Sequence, residues 1–138
     1  MKSYKATFCD PFKKDIIDLG YVAEDEIMNL FYKTNWDDYL KRMSESAGAK
    51  IYYSPSLEIQ RVDINLGLSI SVIENDSGYE FYVFYKRPKT VKTFFGLGKR
   101  LMKDYITDKQ GQTRADVIDY LNALMDGNAE YLEQRLNN

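Results

Sequence analysis

The stretch Val62–Lys86, VDINLGLSISVIENDSGYEFYVFYK, decides the fold of this chain. From residue 62 to residue 72, apolar residues alternate strictly with polar or small ones, which is the period of a strand with one buried face. The NDSG segment at 75–78 has the composition of a turn, and a second apolar run follows it. The sequence therefore predicts an antiparallel hairpin with strands at about 62–74 and 79–87.

The register of this hairpin follows from its loop. With residues 75–78 as the loop, Val72 faces Phe81 and Ile70 faces Val83. The apolar face then continues across both strands without adjustment. Since a slip of one residue would turn every side chain to the wrong face, this continuity supports the register.

Tyr82 and Phe84 point to the other face of the predicted hairpin, beside serine residues of the first strand. We expect a helix to cover that face, which would place both rings in the core. The alternative is an exposed aromatic platform edged by Lys86 and Arg87. Such a platform would suit stacked bases, and it would equally suit the anchor of a protein interface.

The segments before the hairpin also contain strand patterns. Leu57 and Ile59 alternate in odd positions, whereas the alternation from Val62 onward is even, which predicts a bulge or break near Gln60–Arg61. The preceding YYSPS segment predicts a short strand that ends at Pro55.

The N-terminal part is predicted to be mixed. SYKATF, residues 3–8, predicts a short strand, and Pro11 predicts a brief helix through Leu19. Between Glu24 and Ser46, two apolar stripes would lie on opposite sides of one straight helix. We therefore expect two helices, at about 24–33 and 36–46, with Asn35 as N-cap of the second. A single helix buried on two sides is the alternative.

The C-terminal part returns to helix. TRAD, residues 113–116, resembles a capping box, and Gly127 is placed to end the helix that it starts. Ala129–Leu136 predicts a short last helix, with Asn128 as its N-cap. Between the hairpin and these helices, LMKDYITD at 101–108 predicts one more strand.

The order of helices, then strands, then helices indicates the α+β class. At 138 residues with 44% hydrophobic composition, the chain is long enough for one core. We expect a single domain over 1–138. In it, a mostly antiparallel sheet of four to five strands is packed by helices from both ends of the chain.

Charge is unevenly distributed along the sequence. The net charge is −2, yet Lys86 to Lys103 contains seven basic residues and no acidic one. The rest of the chain carries 12 basic against 21 acidic residues, a balance of −9. The acidic remainder argues against a general nucleic-acid binder, while the basic segment predicts a local site for something negative.

Several classes of chemistry are disfavoured by composition. The chain has no histidine, so no Ser-His-Asp or Cys-His nucleophile can be built. Cys9 is the single cysteine and offers neither a disulfide nor a thiolate cluster for zinc. No apolar run is long enough for a signal peptide or a membrane span, so we expect a cytoplasmic protein without a membrane partner.

The glycines at Gly96 and Gly98 resemble a phosphate loop only superficially. In GLGK, Arg100 follows Lys99 where the phosphate loop needs Ser or Thr, and a single residue separates the glycines. A flexible turn between strands is the simpler interpretation.

These observations favour a small non-enzymatic protein-interaction domain, similar in general character to immunity or adaptor proteins. A binding module for an anion, nucleotide or nucleic acid is the alternative, and a carboxylate-dependent enzyme is the second alternative. No cofactor and no metal site are expected, and the partner is expected to be another protein. The candidate binding residues are Tyr82, Phe84, Lys86, Arg87, Lys89, Lys92, Phe95, Lys99 and Arg100.

Overall fold

The structure, a computed structural model, describes residues 1–93 and 96–137. Within these residues lie six strands and four helices. The strands are β1 Tyr4–Cys9, β2 Ile17–Val22, β3 Ser56–Arg61, β4 Leu66–Asn75, β5 Gly78–Thr93 and β6 Gly98–Gln112. The helices are α1 Glu24–Lys33, α2 Trp36–Glu45, α3 Arg114–Asp126 and α4 Ala129–Leu136.

All six strands form one antiparallel sheet in the order β2-β1-β3-β4-β5-β6. The α+β class is confirmed, but the expected four to five strands are too few. The additional strand is β2, which takes residues 17–19, the end of the segment where a helix through Leu19 was predicted, and residues 11–16 of that segment are not helical. There, Ile17 pairs with Phe8 and Val22 pairs with Tyr4. Pairing with β1, which no local pattern announces, overrides the helix signal of Pro11.

The central hairpin has the predicted register. Val72 faces Phe81 and Ile70 faces Val83, as the continuity of the apolar face required. Its first strand begins later than predicted, because residues 62–65 form a turn between β3 and β4, with Asn65 at a φ of 54°. This turn, rather than a bulge at Gln60–Arg61, accounts for the change of phase. The short strand predicted to end at Pro55 is wrong, since β3 begins only at residue 56.

Apart from the helix expected at 11–19, which is wrong, the helix predictions are confirmed with small changes. Two separate helices occupy 24–33 and 36–45, although the Asn35 side chain makes no capping hydrogen bond. At the start of α3, Thr113 and Asp116 form a reciprocal capping box, which satisfies two backbone N–H groups. Gly127 ends α3 in the left-handed conformation, at a φ of 70°.

All four helices contribute side chains to the core on one face of the sheet. Phe81 of β5 is 1% exposed, and its ring centroid lies 5.5 Å from that of Phe31 and 5.6 Å from that of Trp36. Leu121 of α3 and Leu132 of α4 are fully buried in the same cluster. Since this face holds the apolar residues of every central strand, burial of the helices there stabilises the whole sheet.

Strand β5 was predicted to end at about residue 87, but it continues past Pro88. Arg87 pairs with Tyr105 and Lys89 pairs with Met102, so two β6 residues lie opposite the single Pro88. This bulge accommodates a residue that has no N–H to donate, and pairing continues to residue 93. Among the described residues, no helix is long and apolar enough to cross a lipid bilayer.

Candidate functional site

Contrary to our expectation, no helix of the described residues covers the second face of the sheet. Strand alternation turns Phe81, Val83 and Tyr85 toward the helices, while Tyr82 and Phe84 lie on the opposite face and stay half-buried. We call this surface the open face. The exposed-platform alternative of the sequence analysis is therefore the one that applies to these two rings.

Three rows of side chains cross the open face, as the strand registers determine. The middle row runs through Thr7, Glu58, Ser69, Phe84 and Asp108. On one side of it lie Lys5, Gln60, Gly67, Lys86 and Ile106. On its other side lie Cys9, Ser56, Ser71 and Tyr82. Strand β4 contributes only small residues to these rows, so the centre of the open face is a trough.

The rings of Tyr82 and Phe84 form one wall of this trough. They stack face to face, with centroids 4.5 Å apart and planes 12° from parallel. The Tyr82 hydroxyl donates to Asp108 Oδ1 over 2.9 Å, which fixes its ring and raises the pKa of Tyr82 above its usual value. Because Tyr82 covers one side of the Phe84 ring, only the other side of that ring is available to a ligand.

A shallow groove of about 340 Å³ adjoins the Phe84 ring. It offers an apolar wall, a hydroxyl, one carboxylate and one ammonium group within a small area. Its lining residues are Glu58, Gly67, Leu68, Ser69, Phe84, Lys86 and Ile106. This mixture can bind a surface that presents both apolar and charged groups.

The absence of a side chain at Gly67 leaves room for the Gln60 side chain of the neighbouring strand. The Gln60 side chain lies across Gly67, so a Cβ at this position would collide with Gln60 Oε1. That oxygen is buried and has no hydrogen-bond partner among the described residues, while the amide nitrogen donates to Asn65 Oδ1 over 3.1 Å. Gly67 thus keeps the floor of the trough low.

Arg87 does not belong to the open face. Its guanidinium is 3% exposed and holds α4 against the sheet, donating to both carboxylate oxygens of Glu133 over 2.9 and 3.0 Å. It also donates to Thr107 Oγ1, the Tyr85 carbonyl and Asn137 Oδ1. Five hydrogen bonds from one buried cation indicate a role in stability.

Lys89 has the same partner. Its Nζ lies 2.6 Å from Glu133 Oε1. Burial alone would raise the pKa of Glu133, but the hydrogen bonds from Arg87 and Lys89 outweigh it and hold that pKa below its usual value. Arg87 and Lys89, two of the candidate binding residues, therefore both pair with the carboxylate of Glu133 in α4.

The remaining candidates lie on a two-stranded extension of β5 and β6. Lys92 and Lys99 are exposed and directly opposite each other, and Arg100 is exposed one residue further along β6. Phe95 lies outside the described residues. The structure thus divides the candidates between the open face, which has Tyr82, Phe84 and Lys86, the interior, and this extension.

The hairpin register already placed Gly67 and Ser69 opposite Lys86 and Phe84, as the structure confirms. Sequence reasoning missed Glu58, Ile106 and Asp108, which complete the open face. The positions of Ile106 and Asp108 depend on β6, whose pairing with β5 is offset by one bulge between Phe81 and Val83 and by another between Arg87 and Lys89. Pro88 marks the second offset, because proline cannot donate a ladder hydrogen bond, but no local signal reveals the first.

Another groove, of about 290 Å³, lies where β2 meets α1 and α2. Its charged groups include Arg42 and Asp38, which already pair with each other over 3.2 Å. Across the part of the chain that the structure describes, no group of three or more Cys, Asp or Glu side chains is placed to hold a metal. Burial is the main cause of a raised pKa at Cys9, and the negative charge of Glu58 adds to it. The raised pKa lowers the fraction of the reactive thiolate.

No known protein family matches this chain. No curated protein and no solved structure is detectably similar to it.

Proposed function

We propose that this chain is a non-enzymatic binding domain whose partner is another protein that docks on the open face. The observation that carries the proposal is the stacked pair of Tyr82 and Phe84, left half-exposed on a sheet face without a helix. Tyrosine is enriched among the residues that contribute most to binding at protein interfaces, and large rings lose little conformational entropy on binding.

The surroundings of the rings favour a protein over a nucleic acid. In the row of Phe84, Glu58 and Asp108 lie on either side of the ring, and Lys86 is the nearby cation. Phosphates would be repelled by these two carboxylates. A protein surface with an apolar centre and mixed charges at its rim would match them.

The groove also supports binding rather than carboxylate catalysis. Acid–base hydrolysis of the glycosidase type uses two carboxyl groups that face one reacting bond. Within the described residues, Glu58 is the single carboxylate that lines the groove beside Phe84. The immunity-like or adaptor-like character expected from the sequence is compatible with such a surface.

The test compares the doubly substituted Tyr82→Ser, Phe84→Ser protein with a matched control, Tyr32→Ser. Tyr32 is 53% exposed on α1, away from the open face. A photoreactive amino acid at Ser69 in tagged wild-type protein should capture a specific partner in the host cell. Purified with that partner, the double variant should lose most of the affinity, and the control should retain it.

The proposal fails if the captured partner binds the double variant as tightly as the wild type. It also fails if capture occurs from positions on α1 or α2 but not from Ser69. The thermal midpoint of the double variant is measured in parallel, since removal of two stacked and partly buried rings should cost about 2–3 kcal/mol.

A further inference from the structure

The two-stranded extension of the sheet carries a second inference, which concerns a different surface from the open face. Strand β4 pairs with β5 only as far as Gly67 and Lys86, whereas β5 and β6 stay paired out to Thr93 and Gly98. Residues 87–93 and 98–105 therefore form a ribbon beyond the edge of β4, which we call the arm. Seven residues in extended conformation span about 20 Å.

The inner and outer halves of the arm differ in their support. At its base, Arg87 and Lys89 bind Glu133 of α4, and both cations lie over the ring of Tyr105. Among the described residues, Lys89 is the outermost arm residue with an ion pair or hydrogen bond to a helix. The outer half projects from the body with its side chains exposed or half-exposed.

The outer half concentrates positive charge without a counter-charge. Lys92 faces Lys99 directly across the ribbon, and like charges in this position repel each other. Arg100, paired with Val91, lies on the other face. Within the described residues, no carboxylate lies within ion-pair distance of these three cations. An anionic partner would relieve the repulsion.

The end of the arm is apolar as well as surrounded by cations. Leu97 is 90% exposed at the turn, and Leu101 is 59% exposed on the same ribbon face as Lys92 and Lys99. Exposed leucine at the tip, with cations on both faces just behind it, is the arrangement that an anionic lipid surface accommodates. The leucine enters the boundary of the acyl region, and the cations reach the phosphates of the headgroups.

We propose that the arm docks end-on against an anionic lipid bilayer, with Leu97 inserted and with Lys92, Lys99 and Arg100 at the headgroups. When the tip of the arm meets a planar surface, that surface can contact the cations on both faces of the ribbon. The grooves of a nucleic-acid duplex would neutralise the cations but would offer no apolar environment to Leu97. The acidic remainder of the chain, with a balance of −9, is repelled by the same surface and keeps the body away from it.

This contact is peripheral and needs no membrane-spanning segment. It departs from the expectation, drawn from the lack of a long apolar run, that no membrane partner exists. Phe94 and Phe95 lie outside the described residues, and the proposal does not depend on them. It also does not depend on the open face, so either proposal can fail while the other stands.

The experiment is co-flotation of the full chain with phosphatidylcholine vesicles that contain about 30% phosphatidylserine, beside vesicles of phosphatidylcholine alone. We expect binding to the anionic vesicles only, weakening as salt is added. The Lys92→Gln, Lys99→Gln double variant should bind about 25-fold more weakly, at roughly fivefold for each charge. Leu97→Ser should bind about tenfold more weakly.

Controls locate the effect on the arm and identify the anion. The matched charge control is the Lys13→Gln, Lys14→Gln double variant, which changes two exposed lysines near the N-terminus and should bind as the wild type does. Ile16→Ser is the apolar control, since Ile16 is also exposed. A DNA duplex of about 20 base pairs and polyglutamate are offered as competing anions.

Failure of the folded wild-type chain to float with anionic vesicles overturns the proposal. Equal weakening by the Lys13, Lys14 control variant overturns the assignment to the arm. Binding that Leu97→Ser leaves unchanged, together with equal binding to DNA or polyglutamate, shows a general contact with polyanions and rejects the bilayer. The arm variants should still capture the open-face partner. Loss of vesicle binding by these variants then leaves the proposed function unaffected.

Discussion

Lys86 and Arg87 are neighbours in the sequence and carry the same charge, yet they lie on opposite faces of β5. Arg87 is buried and bonded to Glu133, while the Lys86 ammonium lines the groove of the open face. Two phenylalanines of the same strand repeat the contrast. Phe81 is enclosed by Phe31 and Trp36, whereas Phe84 stacks with Tyr82 on the open face. One face of the strand stabilises the fold, and the other is available for binding.

In this chain, residue type alone does not show whether a side chain stabilises the fold or is available for binding. Alternate residues of a strand lie on opposite faces of the sheet. Whether a helix packs on a face decides whether its residues are buried or exposed. The seven basic residues between Lys86 and Lys103 therefore have different surroundings. Arg87 and Lys89 pair with Glu133, and Lys86 lines the open face. Lys92, Lys99 and Arg100 lie on the outer arm, and Lys103 is exposed at the bulge opposite Pro88.

The largest expected difference between the two faces is the loss of stability when each phenylalanine is replaced by alanine. Phe81→Ala removes a buried ring from the core and should lower the free energy of unfolding by about 3–5 kcal/mol. Phe84→Ala removes only stacking and partial burial and should cost about 1 kcal/mol. Urea unfolding of both variants measures the difference. Similar losses would mean that the two faces are equally covered in solution.

The neighbouring cations provide the next test. Arg87→Met leaves Glu133 partly buried without its main partner and should lower the free energy of unfolding by about 3 kcal/mol. The matched variant Lys86→Met should stay within about 0.5 kcal/mol of the wild type. Thermal unfolding at neutral pH compares them. A Lys86 variant as unstable as the Arg87 variant would contradict the assignment of Lys86 to the open face.

The pH dependence of stability should depend on Glu133. Because the folded-state pKa of Glu133 is held below its usual value of 4.5, its ionised form stabilises the fold above that pH. This stabilisation is lost as the pH falls through the lower, folded-state pKa. The difference in thermal midpoint between wild type and Glu133→Gln should therefore be largest near neutral pH and should shrink in acid. A difference that stays constant down to the most acidic reversible unfolding would contradict the pairing.

The Gly67→Ala variant should change stability little and binding more. The new methyl group displaces only the flexible end of Gln60, so the free energy of unfolding should change by less than about 1 kcal/mol. On the open face the same methyl group raises the floor of the trough beside Phe84. Affinity for an open-face partner, measured by titration calorimetry, should fall although stability hardly changes. Unaltered affinity would place the contact elsewhere on this face.

Local signals were sufficient for much of this fold. The alternation around Ile70 and the turn at 75–78 predicted the register of the central hairpin, because a one-residue slip would expose its apolar face. The capping box at Thr113 and the left-handed Gly127 predicted both ends of α3. The two opposed apolar stripes before residue 46 predicted two helices, because one straight helix could not bury both on the same side.

Other features depend on contacts between distant segments. Strand β2 forms because β1 offers it an edge. The pairing of β6 is offset by two bulges, and the sequence marks only the one at Pro88. The candidate site was predicted in part. Tyr82, Phe84 and Lys86 were assigned to one face from alternation, but Glu58 and Asp108 join them only through the registers of β3 and β6.

By itself, the sequence determined the α+β class, the central register and the helix ends, since periodicity and capping act within a few residues. It also determined that a basic segment would stand out from an acidic chain. Tertiary structure alone decided that every helix packs on one face, that Glu133 engages Arg87 and Lys89, and that the outer arm keeps its cations without a counter-charge. These outcomes depend on which surfaces meet after folding, and burial by a distant segment leaves no local pattern.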